Sequence, residues 1–438
     1  LLQSGVFVAD VLYYNGDWAP NLVEPKHTDP SLGKGYDYDV CNAEVLLTRL
    51  SVKDSRLVLP EGIGYRLLVL PDTTRMPAEV ARKIHGLVAA GATVVGPKPQ
   101  SDPGLKNYPD CDAEVRRIAD EVWGNCNGKT VTHHAFGKGR VFWGKARREI
   151  LRDDGIAPDL AHSGGDAFID FIHRRVGEAD IYFLANRKDR PESVVCEFRV
   201  SGRQPELWDP VSGGRRDLPQ FSSCNGVTSV PLEFEPHGSM FVVFRRVATS
   251  PTGKAGENFP KFTPIMELTG AWQMSFDPDW FYPTNGLSGE AAKGVVTFDR
   301  LEDWSKRPEP AIRHFSGTAT YRKTFEAPHA TRNKSVYLDL GAVKETARVR
   351  INGKELGVVW CAPWRVEITD TLKPGENLLE IEVVNLWPNR LVGDAGLPTE
   401  AQRTRTNIRT FKKTSPLRSS GLLGPVTIQT TDRTAARR

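Results

Sequence analysis

Residues 316–389 constrain the fold more tightly than any other part of this chain. They run SGTATYRKTFEAP and, after a polar stretch, VYLDLGAVKETARVRINGKELGVVWCAPWRVEITDTLKPGENLLEIEVVNLWPN. Apolar and polar residues alternate in short segments, and a period of two places successive side chains on opposite faces of a sheet. Asn352-Gly353 is the strongest hairpin signal, because both residues tolerate the positive φ that a type I′ turn demands. Pro374-Gly375-Glu376-Asn377 marks a second turn. Trp360, Trp364 and Trp387 all fall inside this all-β unit.

The remainder of the 438 residues divides by pattern. Residues 6–14 (VFVADVLYY) read as one apolar strand. Residues 39–50 have helical spacing with Asp39 as N-cap, and 66–70 (RLLVL) form a run of the kind a parallel sheet buries on both faces. A helix over 77–90 opens on Pro77 and closes on Gly91. A strand over 92–96, a helix over 112–123 and a strand over 139–143 follow. Strand–helix alternation predicts a doubly wound parallel sheet. Residues 168–173 fit either a short helix or a strand. Beyond them 180–185, 193–200, 204–208, 226–232 and 239–245 are closely spaced strands separated by turns, the pattern of a compact antiparallel sandwich. Residues 248–260 (ATSPTGKAGENFP) have linker composition. The fold class expected is therefore multidomain, α/β plus all-β: an α/β domain over 1–150, a β-sandwich over 151–247, a linker over 248–261, a jelly roll over 262–431 and a basic tail over 432–438. The jelly roll carries an insertion over 393–419 rich in Thr, Arg and Lys.

Composition removes several function classes. A net charge of +4 is small for this length and gives nucleic-acid binding no support. No apolar run approaches the roughly 20 residues of a membrane-spanning helix. The six cysteines include no CxxC pair; Cys196 and Cys224 fall in one β domain, where pairing competes with isolated buried thiols. The chain starts LLQSG, without Met or a signal peptide, and is expected to be a piece of a longer protein.

The jelly-roll pattern resembles the sugar-binding domain of family 2 glycoside hydrolases, which is galactose-binding-like. The order of domains resembles the C-terminal half of glycoside hydrolase family 106, whose known activity is α-L-rhamnosidase. Carrying that resemblance are VADVLYY (8–14) with Tyr36-Asp37-Tyr38-Asp39, Leu67 to Pro71 with GATVVGP (91–97), and FIHRRVGEADIYFLAN (171–186). ELWDP (206–210), LWPNRLVGD (386–394) and SGLLGPV (420–426) complete it. The resemblance implies a hydrolase acting on rhamnose-containing glycans, secreted or periplasmic. It places the catalytic carboxylates and a calcium ion in an N-terminal (β/α)8 barrel. No eightfold strand–helix repeat is present here, so catalytic residues are not carried over. The expectation is an accessory region with no cofactor of its own. Its alternative is a non-catalytic carbohydrate-binding protein or oligomerisation module.

Glycoside hydrolysis generally needs two carboxylates flanking the scissile bond. Asp37, Asp39 and Glu44 are candidates to border the missing active site, lying where α/β sheets meet ligands; capping and surface charge are the competing roles for the same residues. The α/β domain also resembles class I glutamine amidotransferases and flavodoxin-like folds. It lacks the small residues that a nucleophile elbow needs around Cys41, and is read as catalytically silent. His133-His134 point to opposite faces of a strand and chelate poorly. For sugar contact the candidates are Trp360, Trp364, Arg365, Trp387, Asn389 and Arg390, which join aromatic faces to planar polar groups. Core packing is the competing role for the same residues. Asp299 to Trp304 (DRLEDW), with Asp394 and Glu400, offer oxygen ligands suited to calcium.

Overall fold

The computed structural model describes every residue except 17–21, 24, 27–31, 254–255, 282–287, 329–333, 408–409 and 433–438. The expected basic tail thus lies, from residue 433 on, outside the described residues. The chain forms two compact units, Leu1–Asn258 and Phe259–Arg438.

In the first unit a sheet of five parallel strands runs in the order Tyr38–Cys41, Val11–Tyr14, Leu67–Val69, Thr93–Val95, Gly139–Phe142, with His133–Phe136 antiparallel at the edge. Alternate residues serve two cores. Leu12, Leu68, Val94 and Val141 pack with the helices Ala43–Thr48, Ala78–Ala90 and Asp110–Trp123. Val11, Val69 and Phe142 face Ile150 and Leu151 of the helix Arg147–Asp153. Burial on both faces is why these strands read as unbroken apolar runs. The helix Ala78–Ala90 starts where the Ala78 N–H donates to an Asp102 carboxylate oxygen (2.7 Å) and ends at Gly91 with φ +123°.

Two readings of this region need correction. Residues 39–50 are not one helix: Tyr38–Cys41 is a parallel strand, and the helix Ala43–Thr48 is capped by Asn42, whose side chain accepts from the Val45 N–H at 3.0 Å. The helical spacing was partly the period-two spacing of a strand. Nor is 6–14 one strand. Val6–Phe7 pairs antiparallel with Arg174–Arg175 of the sandwich, while Val11–Tyr14 enters the parallel sheet. The break falls at buried Asp10, whose carbonyl accepts from the Arg66 and Leu67 N–H groups.

The sandwich stacks two antiparallel sheets. One has the order Val6–Phe7, Ile169–Val176, Ala179–Asn186, Ser239–Val247, Arg203–Trp208, Arg215–Asp217. The other runs Leu160–His162, Glu192–Phe198, Val227–Phe234, Ser222–Cys224. The ambiguous stretch at 168–173 is thus a strand. Tyr182, Phe198 and Phe244 meet edge-on or tilted between the sheets, with centroids 4.9 to 6.1 Å apart. Cys196 and Cys224 flank opposite sides of Val227–Phe234, and all six cysteines are free.

The second unit is the jelly roll. A six-stranded antiparallel sheet, Val295–Phe298, Trp272–Phe276, Thr318–Glu326, Glu376–Val384, Thr346–Ile351, Lys354–Val359, contributes to one core with the four-stranded sheet Thr263–Glu267, Thr427–Asp432, Lys334–Asp339, Arg365–Glu367. At its centre the Trp304 Nε1–H donates to Tyr321 Oη (2.8 Å), which also accepts the Leu422 N–H (2.8 Å). Asn352 and Gly353 form the expected two-residue hairpin loop, with φ of +52° and +78°.

Candidate functional site

Strand register gathers the exposed aromatics of the jelly roll at one end of its six-stranded sheet. Phe276 pairs with Ala319, Ala319 with Val383, Val383 with Ala347 and Ala347 with Val359, a single row across five strands. The chain leaves this row toward the same end at Trp280, Leu386–Trp387 and Trp360. Trp280 and Trp387 meet edge to face, centroids 5.0 Å apart, and Trp387 remains 49% exposed. Trp360 is 57% exposed. It starts from the edge strand, two strand spacings (roughly 10 Å) from the strand that leads to Trp387.

Short-range bonds hold the Trp280–Trp387 pair in place. Asn385 Oδ1 accepts from the Gly317 N–H (3.0 Å) and its Nδ2 donates to the Phe315 carbonyl (2.9 Å). Ser316 Oγ donates to the Leu386 carbonyl (2.9 Å) and accepts from the Arg390 N–H (3.2 Å). Gly317 is required here, since a Cβ would lie 3.0 Å from the Phe315 ring and 3.3 Å from Trp280 Cβ at a φ of +153°. Trp280 escaped the sequence reading. Its signal was the turn-rich DPDWFYP at 277–283, where an aromatic between prolines and aspartates is held at a surface.

The other sugar-contact candidates are engaged internally. Trp364 is partly buried against the core, and its carbonyl accepts from the Leu340 N–H at 2.7 Å. Arg365 pairs with Asp339 (2.9 Å) and lies over the Phe262 ring. Asn389 is 1% exposed; its Nδ2 donates to the Arg418 carbonyl (2.7 Å) and Ser420 Oγ (2.9 Å), and its Oδ1 accepts from the Arg418 N–H (2.7 Å). Arg390 is buried beside Asp394 (2.7 Å). Trp364 and Arg365 thus serve the core and the four-stranded sheet, and Asn389 and Arg390 hold the chain just after Trp387.

Asp37, Asp39 and Glu44 do not converge. Asp37 precedes the strand Tyr38–Cys41 and pairs with Lys26 at 2.9 Å. Burial raises its carboxyl pKa, and Lys26 only partly offsets that. Lys26 also donates to the Phe171 carbonyl (2.7 Å), joining the parallel sheet to the sandwich. Asp39 accepts from Tyr65 Oη (3.0 Å), and Glu44 is exposed in the first turn of its helix. The His134 ring nitrogen Nδ1 lies 2.9 Å from the Val122 carbonyl oxygen.

A cluster that the sequence did not reveal lies inside the first unit. His173 is buried between two carboxylates, Nδ1 to Asp159 Oδ2 at 2.8 Å and Nε2 to Asp180 Oδ1 at 3.0 Å, and its ring stacks on Tyr182 at 3.9 Å. Tyr182 Oη donates to Asp159 Oδ1 (2.9 Å), Arg175 Nε to Asp180 (2.9 Å) and Arg199 Nη2 to Asp10 (3.0 Å). Burial alone would lower the His173 pKa. Asp159 and Asp180 together reverse this and raise it above the ordinary imidazole value. Burial likewise works to raise Asp159 and Asp180, yet His173 with Arg199 and Arg175 holds both below the usual carboxylate range. With every polar partner supplied by the chain itself, the cluster is a clamp.

Among the described residues no group of three or more His, Cys, Asp or Glu side chains is placed to hold a metal. Asp303 instead accepts from the Ser305 and Ser420 N–H groups, and Asp394 from the Arg403 and Thr404 N–H groups. No described helix is long and apolar enough to cross a membrane.

A family model described as alpha-L-rhamnosidase, glycoside hydrolase family 106, matches residues 1–222. A second, the glycosyl hydrolase 2 galactose-binding domain-like model, matches residues 296–414. A rhamnosidase of solved structure from Novosphingobium sp. PP1Y is 32% identical with a TM-score of 0.82, over 98% of this chain and 39% of that one. A curated Formosa agariphila protein named "Putative beta-glucuronidase" is 26% identical over 98% of this chain and 56% of its own length. The chain therefore spans roughly half or less of the length of either relative. Among the described residues no sheet closes into a barrel.

Proposed function

This chain belongs to glycoside hydrolase family 106, the α-L-rhamnosidases, and on that premise we propose that it is the accessory region of a secreted or periplasmic enzyme hydrolysing terminal rhamnosides in polysaccharides. The observation that carries the reading is a family 106 region followed by a galactose-binding-like jelly roll whose sheet ends in half-exposed tryptophans. Pyranose rings offer apolar faces that pack on such side chains. Trp280, Trp387 and Trp360 are assigned that contact, with Asn389 and Arg390 holding the chain just after Trp387.

Hydrolysis itself needs an acid and a base or nucleophile on either side of the glycosidic oxygen. Asp37 and Asp39 are bound to Lys26 and Tyr65, so the reacting carboxylates, and calcium with them, are assigned to a barrel outside these residues. The strand order of the parallel sheet, second-first-third-fourth-fifth, supports a flavodoxin- or amidotransferase-like domain. Cys41 ends one of those strands with its thiol pushed up to about 12 by burial and Asp39, the reverse of an activated nucleophile. That domain is accordingly assigned a supporting role.

Release of rhamnose from an aryl α-L-rhamnoside by the purified 438-residue chain tests the assignment. No release above the blank is expected, and turnover would overturn the placement of the carboxylates. Trp387→Ala is expected to weaken binding to a rhamnose-containing polysaccharide about tenfold, equivalent to about 1.4 kcal/mol. Its melting temperature should not move. Unchanged affinity would remove the tryptophans from the site.

A further inference from the structure

In the first unit a small antiparallel sheet, Ser51–Lys53, Arg56–Val58, Gly64–Tyr65, follows the helix Ala43–Thr48 and sets two arginines against each other. Leu57 pairs with Tyr65 and Val58 with Gly64, and the same register continued by one step puts Arg56 opposite Arg66. Leu57 and Tyr65 point into the core, so Arg56, Gly64 and Arg66 belong to the other face. There the Arg56 guanidinium lies over Gly64, where a Cβ would stand 3.6 Å from its Cζ, and its Nη2 donates to the Gly64 carbonyl (2.9 Å). Like charges directly opposed across two strands destabilise them unless something stands between.

Neither guanidinium is matched by a carboxylate. Beyond the Gly64 carbonyl, neither side chain makes a hydrogen bond or ion pair with any described residue. Solvated surface arginines need no such partner, but Arg56 Nε and Arg66 Nε are both buried and unbonded. Asp10 is the neighbouring acid. Its carbonyl takes the Arg66 N–H at 2.7 Å, yet its carboxylate is held by Arg199 at 3.0 Å. Burial lowers the Arg56 pKa, and Arg66, Arg199 and Arg175 lower it further against the pull of Asp10. Both arginines are half-buried, so an ion reaches them from solvent.

We propose that Arg56 and Arg66 form a binding site for a small oxyanion of the phosphate or sulfate class, at the start of the strand Leu67–Val69. A guanidinium fork bonds two oxygens of such an anion in parallel. A carboxylate offers one pair of oxygens, which one fork takes up; two forks side by side fit an anion with three or four. The site adjoins the bonds from Arg66 to Asp10 and from Asp10 to Arg199, which run from the parallel sheet to the sandwich. Occupancy therefore tightens the first unit.

Titration calorimetry of the 438-residue chain with inorganic phosphate, against sodium chloride of equal ionic strength, tests the site. A dissociation constant on the order of 1 mM or tighter is expected for phosphate and sulfate, with acetate about tenfold weaker. Arg56→Gln and, separately, Arg66→Gln should each weaken phosphate binding about tenfold, while Arg322→Gln leaves it unchanged. Phosphate should raise the melting temperature of the wild-type first unit by about 2 °C and leave that of Arg66→Gln where it was. In chloride alone Arg66→Gln should melt no lower than wild type, because the opposition of charges is gone. No phosphate binding by the wild-type chain beyond the chloride control overturns the site without recourse to any variant. Binding that survives both substitutions places the anion elsewhere and overturns it equally. Acetate held as tightly as phosphate overturns the choice of a tetrahedral anion.

Discussion

In the unit Leu1–Asn258 a largely buried chain of charges runs Asp10, Arg199, Asp159, His173, Asp180, Arg175, whereas the core of the unit Phe259–Arg438 is aromatic and, among the described residues, its buried charge is confined to the pair Arg390–Asp394. Trp272, Phe276, Trp304, Phe315 and Tyr321 fill that second interior, and its Arg–Glu pairs ladder the outer face of the sheet. A buried ion chain fixes geometry but depends on the protonation of its members. An aromatic core depends on filled volume and is indifferent to pH. The two units should therefore fail under different insults.

Volume gives the largest expected effect. Trp304→Ala opens a cavity among Phe276, Phe315 and Tyr321 and removes a donor from Tyr321 Oη, and should cost about 5 kcal/mol. Hydrogen exchange followed by mass spectrometry should show the loss of protection confined to the second unit. Matching loss in the first would mean the units do not unfold separately. Asp159→Asn attacks the other side of the contrast. It leaves Arg199 and His173 facing a neutral group and should cost about 3 kcal/mol, this time with protection lost in the first unit.

The pH dependence comes next in size. Because the folded pKa of His173 is raised, its contribution is fully present below about pH 6.5 and lost as pH rises through the folded value, at no more than about 1.4 kcal/mol per pH unit. Asp159 and Asp180, whose folded pKa values are lowered, contribute above about pH 4 and lose that contribution as pH falls through the folded values. Urea unfolding of the first unit from pH 5 to 9 should show the alkaline loss, and His173→Gln should flatten it. A wild-type profile already flat above pH 6.5 would mean that the imidazole is not held charged.

The smallest effect belongs to the outer ladder. Arg322→Gln should change stability by less than about 1 kcal/mol and by nothing measurable in high salt, because Arg322 is exposed and Glu380 is still reached by solvent. A loss comparable to that of Asp159→Asn would break the distinction between buried and exposed pairs.

What could be read from the sequence was whatever short-range chemistry determines. Asn352-Gly353 forms its hairpin because the turn needs positive φ at both residues, and Gly91 ends its helix for a related reason. The sandwich strands were visible through their alternation. The jelly-roll aromatics were visible as types but not as roles: Trp387 and Asn389 are near neighbours in the chain, yet one is half exposed and the other sealed against Arg418 and Ser420. The His173 clamp was hidden, since its members come from positions 10, 159, 173, 180 and 199 and all but the first are unremarkable alone. Asp10 inside an apolar run was the one visible anomaly, and its explanation lies in Arg199.

The crossing of residues 6–14 from the sandwich into the parallel sheet carries a kinetic consequence. Val6 finds its partner at Arg175 and Asp10 its counter-charge at Arg199, so both wait until well over a hundred further residues have been synthesised. Contacts so distant along the chain are slow to close. Until they do, the edge of Ile169–Val176 that Val6–Phe7 covers stays open to pairing with other chains. Once Ile169–Val176 has been made and before these contacts close, the parallel sheet and the sandwich of the first unit are unlatched neighbours.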